Sequence, residues 1–80
     1  MQLSPNPAHE QVLVTLVARQ AQNTVLGLYN TQGQQVSEYH QQLQAGENRI
    51  AIPVRPLRPG MYLIQTVLDG QRLTRKLLVE

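Results

Sequence analysis

Cysteine, phenylalanine and tryptophan are absent from this chain, and only three aromatic side chains, Tyr29, Tyr39 and Tyr62, are present. Without cysteine, neither a disulfide framework nor a thiolate zinc site can support the fold, so the core has to be aliphatic. The lack of cysteine does not fix the compartment. Charge is sparse too: seven Lys and Arg against five Asp and Glu leave a formal charge of +2 over 80 residues. The sequence pI is about 9.5, yet Arg19, Arg49, Arg55, Arg58, Arg72, Arg75 and Lys76 are dispersed, with only the last two adjacent. A nucleic-acid surface concentrates such charge and interleaves aromatic rings for stacking, so no nucleic-acid partner is expected. No apolar run approaches the length of a membrane-spanning helix, and no direct membrane insertion is expected. The opening "MQLSPNPAHE" lacks a basic flank followed by an apolar run, so an export signal, if used, is expected on a longer parent chain.

What the chain does have is alternation. A single domain spanning residues 1–80 is expected, of modest stability because little surface can be buried at this size. In "VLVTLVA", Val12, Val14 and Leu16 share one face and Leu13, Thr15 and Val17 the other. In "TVLGLYN" the inward pair is Leu26 and Leu28, followed by a turn from Asn30 to Gly33. "QQVSEYHQQL" alternates weakly, as an edge strand with a wet face does, and "AGEN" supplies a turn. "NRIAIPV" puts Ile50, Ile52 and Val54 on one side, and Pro53, lacking a ladder donor, assigns it to an edge or a strand end. After the connection "RPLRPG" come "MYLIQTVL", the hairpin signal "DG" and "QRLTRKLLV". Six strands are clear, and Gln2–Ser4 makes a short seventh. Only "EQVLVTLVARQAQ" fits a helical template, and its β-branched density argues against a helix. The expected fold is all-β, a small antiparallel β-sandwich of immunoglobulin-like type with about seven short strands.

Catalytic patterns are missing. His9 and His40 have no partner at metal-ligand or triad spacing, and alternation sends Ser37 to the opposite face from Glu38 and His40. No catalytic residue, metal or cofactor is expected, and the protein is not expected to be an enzyme. Several positions read as architecture. Pro5 and Pro7 flank Asn6 in "SPNPA" and are expected to hold the chain extended as a stiff lead-in. Gly60 and Gly70 are expected at positive φ, and Tyr62 is expected to bury its ring while its hydroxyl reaches water or a turn carbonyl.

Taken in order, "SPNPA", "VLVTL", "LYNTQG", "GENRIAIPV", "LRPGMYLIQT", "DG" and "RKLLV" resemble the C-terminal sorting domain of type IX secretion cargo in Bacteroidota. The resemblance runs from about Leu3 to Val79. Each motif is weak alone, and the fixed order is far more specific. Asn30 stands where the family often has Asp, and "VRPL" replaces a Ser-containing link before Leu57; both are turn variations. The resemblance implies a signal that folds. It would mark an N-terminal cargo domain that has crossed the inner membrane by a separate signal and direct it through the outer membrane, from the periplasm to the surface or the medium. It implies as partners an outer-membrane translocon, a shuttle protein and a surface sortase, which can attach the mature cargo to anionic lipopolysaccharide.

Under that resemblance the candidate recognition residues are Lys76, Leu78, Pro5, Asn6 and Pro7, while Gly33, Gly60, Tyr62, Gly70, Leu77 and Val79 are structural. A terminal strand offers backbone groups and alternating side chains to a receptor. Leu77 and Val79 share the face that completes the core, leaving Lys76 and Leu78 on the other. Two readings of that second face stand: presentation to a partner, or Leu78 buried between sheets with Lys76 an ordinary edge charge. The alternative function is a non-catalytic accessory or adhesion module of a secreted protein, for which three tyrosines make a thin glycan platform.

Overall fold

A computed structural model describes residues 1–80. Seven strands form in chain order: β1 (Gln2–Ser4), β2 (Gln11–Ala18), β3 (Gln22–Tyr29), β4 (Gln35–Leu43), β5 (Gly46–Pro53), β6 (Gly60–Leu68) and β7 (Gln71–Val79). There is no helix. One sheet has the order β1-β2-β5 and the other β4-β3-β6-β7, with every pairing antiparallel. The fourth strand stays beside the third, the arrangement of immunoglobulin-like sandwiches that carry an added strand next to the C strand. Pro53 ends β5 on the edge of its sheet, where its missing donor costs no ladder bond.

The inward residues follow the period of two. Val12, Val14 and Leu16 of β2 and Ile50 and Ile52 of β5 meet Leu26 and Leu28 of β3, Ile64 of β6, and Leu77 and Val79 of β7 in one aliphatic core. Both sheets contribute, which makes this a sandwich and leaves no lumen to fill. Two polar side chains are also buried, Thr24 and Thr66, with their hydroxyls 2.8 Å apart. The Thr24 hydroxyl donates to the Val67 carbonyl at 2.6 Å, so the Thr66 hydroxyl must be the donor between the two. This pair lies where β3 and β6 part, since their ladder covers only Gly27–Tyr29 opposite Gln65–Leu63. Gly27 sits mid-strand because the Tyr29 ring lies over it: a Cβ there would come within 2.8 Å of that ring.

Turn chemistry ties the two sheets together. Asp69 (φ 51) and Gly70 (φ 78) are both left-handed, giving the two-residue turn whose twist matches the β6–β7 hairpin. The Asp69 carboxylate accepts the Arg19 backbone N–H at 3.2 Å and the Gln22 side-chain amide at 2.7 Å, and the Asp69 N–H donates to Gln22 Oε1 at 2.9 Å. That hairpin is thereby fastened to the crossover from β2 to β3. Asn30 organises its own turn by accepting the N–H groups of Gln32 and Gln34, each at 2.9 Å, with Gly33 at φ 81. Tyr62 buries its ring and donates its hydroxyl to the Arg58 carbonyl at 2.6 Å. This is the tyrosine corner of immunoglobulin-like domains, at the start of the sixth strand.

The expected path of the proline segment fails. "SPNPA" is not an extended lead-in: Ser4–Pro5 and Asn6–Pro7 are cis peptide bonds and the chain bends through Pro5–Pro7. The bend is needed because the segment leaves β1 in one sheet, touches β7 in the other, and returns to β2.

Candidate recognition site

β7 is an edge strand, so alternate backbone groups along it point away from β6 and need partners. Over its last turns those partners come from the bent segment at the other end of the chain. Leu78 N–H donates to Asn6 Oδ1 at 3.0 Å, and Asn6 Nδ2 donates to the Lys76 carbonyl at 3.1 Å. Ala8 N–H donates to the Leu78 carbonyl at 2.8 Å, and Glu80 N–H donates to the Ala8 carbonyl at 2.9 Å. Ala8 thus forms a parallel bridge to Val79 and is itself fully buried. One strand position further back, Arg75 Nε donates to the Met1 carbonyl at 3.1 Å, joining the two sheets across the open side.

The residue types explain the arrangement. Proline has no N–H, so Pro5 and Pro7 cannot add to a ladder. The Asn6 side chain substitutes for them, because its amide offers one donor and one acceptor in the geometry of a peptide group. Four outward backbone groups of Lys76, Leu78 and Glu80 are consequently satisfied. This corrects the expectation that the terminal strand holds out its backbone: from Lys76 onward most of that backbone is occupied, and side chains are what remain on offer.

Those side chains lie on the outer face of the four-stranded sheet. Leu78 is directly opposite Met61, and Lys76 directly opposite Leu63, which in turn is opposite Tyr29. Leu78 is 38% exposed and Met61 42%, so the reading that Leu78 is buried between sheets is overturned. On the inner face Leu77 and Val79 are buried, as the alternation requires. Neither Lys76 nor Arg72 takes part in an ion pair; the two ion pairs are His40–Glu38 at 2.7 Å and Arg49–Glu47 at 2.9 Å, both exposed. Glu38 lies below the usual carboxylate range because it accepts hydrogen bonds from Gln35 and from the His40 ring.

Of the predicted residues, the fold brings Asn6 to Lys76 and Leu78, 70 and 72 positions away in the chain, in one corner with Pro5 and Pro7 exposed beside them. Gly33 and Gly70 stand at turns outside it, whereas Gly60, at φ 153, and Tyr62 pair with Val79 and Leu77 on either side of Leu78 and so border it. Ala8, Arg75 and Met61 were not singled out by sequence reasoning. Ala8 carried a faint signal, as the one apolar residue of a polar stretch; Arg75 and Met61 carried none, because their roles depend on what β7 is packed beside.

Surface depressions are shallow, and no group of three His, Asp or Glu residues is positioned to hold a metal ion. The fold defines a class: small immunoglobulin-like β-sandwich modules. Within that class the chain matches the family described as the secretion system C-terminal sorting domain over residues 2–80, and it belongs to that family. No curated protein matches it. The family is the C-terminal sorting signal of type IX secretion, a targeting tail that works with the secretion machinery to bring cargo to the outer membrane, the cell surface or the medium.

Proposed function

We propose that residues 1–80 act as one folded address that the outer-membrane translocon and a shuttle protein read on the outer face of β6 and β7. Lys76 and Leu78, with Met61 and Leu63 opposite them, form the surface that is read. The receptor then needs an apolar contact for Leu78 and Met61 and an acidic group for the unpaired Lys76 ammonium. Recognition takes place in the periplasm, and a surface sortase afterwards removes the domain from its cargo. The observation that carries this reading is the reach of the family match, which includes both the "PNP" segment and the terminal "KLLV" that the fold joins in one corner. The test is transfer. A reporter with a periplasmic signal peptide, fused ahead of this domain with a longer linker as control, is expected at the surface or in the medium of a host with type IX machinery. Retention in the periplasm, while an established sorting domain exports the same reporter, rejects the proposal.

A further inference from the structure

We infer that Asn6 is a positioning residue for recognition: its side-chain amide acts as a surrogate strand that holds the end of β7 in the geometry in which Lys76 and Leu78 are read. The inference rests on the sorting function proposed above. The last residues of an edge strand fray unless their outward backbone groups are paired. Here the pairing partner is not a strand. Between two prolines the backbone can contribute little, and the Asn6 amide alone spans Leu78 N–H and the Lys76 carbonyl, 3.0 and 3.1 Å away. It therefore bonds the two residues whose side chains face outward, while Ala8 continues the same edge to Glu80.

Asn6 is exposed and outside the aliphatic core, so its loss leaves that core intact. Only asparagine's combination of donor and acceptor on one short arm meets both groups; aspartate would turn a lone pair toward the Lys76 carbonyl.

The experiment compares Asn6→Ala with Gln22→Ala, which removes the hydrogen bonds to Asp69 at the opposite end of the sandwich. Amide hydrogen exchange, thermal melting and reporter export are measured for both in the complete domain. In Asn6→Ala the Leu78 amide is expected to exchange about tenfold faster or more while amides bonded within the β3–β6 ladder keep their protection. Export is expected to fall several-fold in Asn6→Ala and to stay near wild type in Gln22→Ala, even where Gln22→Ala melts at the same or a lower temperature. An unchanged Leu78 exchange rate overturns the surrogate-strand role. Faster exchange with normal export, or equal export loss in the two variants, overturns positioning while leaving the sorting function standing. A wild-type reporter that is not exported rejects the sorting function itself, and the exchange rates then still decide whether Asn6 holds the strand.

Discussion

The four-stranded sheet has two edge strands of equal length, β4 and β7, and they are built to opposite ends. β4 is rich in glutamine, has only Leu43 fully buried, and carries a register shift against β3 beside Leu28 and Tyr29. β7 buries Leu77 and Val79, pairs with β6 along its whole length, and has its end fastened by Asn6 and Ala8. Both are edges, yet one is a wet rim and the other a finished seam. An exposed edge is a hazard for unwanted pairing. β4 meets it with polarity and a local irregularity, and β7 with a covering segment, which leaves the β7 outer face free to carry apolar Leu78 beside Lys76.

The contrast predicts a graded series. Leu77→Ala deletes buried methyl groups from the seam and should cost about 2–5 kcal/mol, enough to unfold much of so small a domain. Gln41→Ala, on the half-buried inner side of β4, should stay within about 0.5 kcal/mol. Chemical denaturation of the two variants measures the difference, and equal losses would abolish the distinction between seam and rim. Next in size is Tyr62→Phe in β6, which removes the hydroxyl bonded to Arg58 and should lower stability by about 1 kcal/mol with no change in strand content by circular dichroism.

Lys76→Glu reverses an exposed charge without touching the core, so melting should shift by no more than about 0.5 kcal/mol equivalent while export collapses. The control on the rim is Gln42→Glu, which places a negative charge on the exposed outer face of β4, and it should export normally. Normal export of Lys76→Glu would remove Lys76 from recognition and leave β7 a purely structural strand. The smallest effect belongs to Glu38, whose folded carboxyl sits below its ordinary range because Gln35 and then His40 hydrogen-bond it. A depressed folded value contributes stability above the unfolded carboxylate range, and that contribution is lost as pH falls through the folded value. Glu38→Gln should therefore flatten the acid side of the melting profile slightly, and surface exposure keeps the change small.

Much of this molecule is legible in its sequence. Period-two alternation in Val12, Val14 and Leu16, in Ile50 and Ile52, and in Leu77 and Val79 names the inward faces, because a strand sends successive side chains to opposite sides. Asp69-Gly70 names its hairpin, since few residues tolerate two consecutive left-handed conformations, and Pro53 names an edge because it has no N–H to give. These are local properties, decided within a few bonds. The motif order likewise points to the sorting family without any knowledge of contacts.

Partnerships between distant segments were not legible. Asn6 meeting Leu78, Gln22 meeting Asp69, and Thr24 meeting Thr66 join residues more than forty positions apart. Nothing in "SPNPA" says whether its asparagine faces water or an edge strand. The same composition suits a stiff linker, and that reading proved wrong. Hydrogen-bonding capacity is written in a residue's chemistry, but the group it satisfies is set by which backbone the packed sheets leave unpaired. That depends on the closing of the two sheets over one core, and so the corner where Asn6 holds β7 exists only once the sandwich has formed.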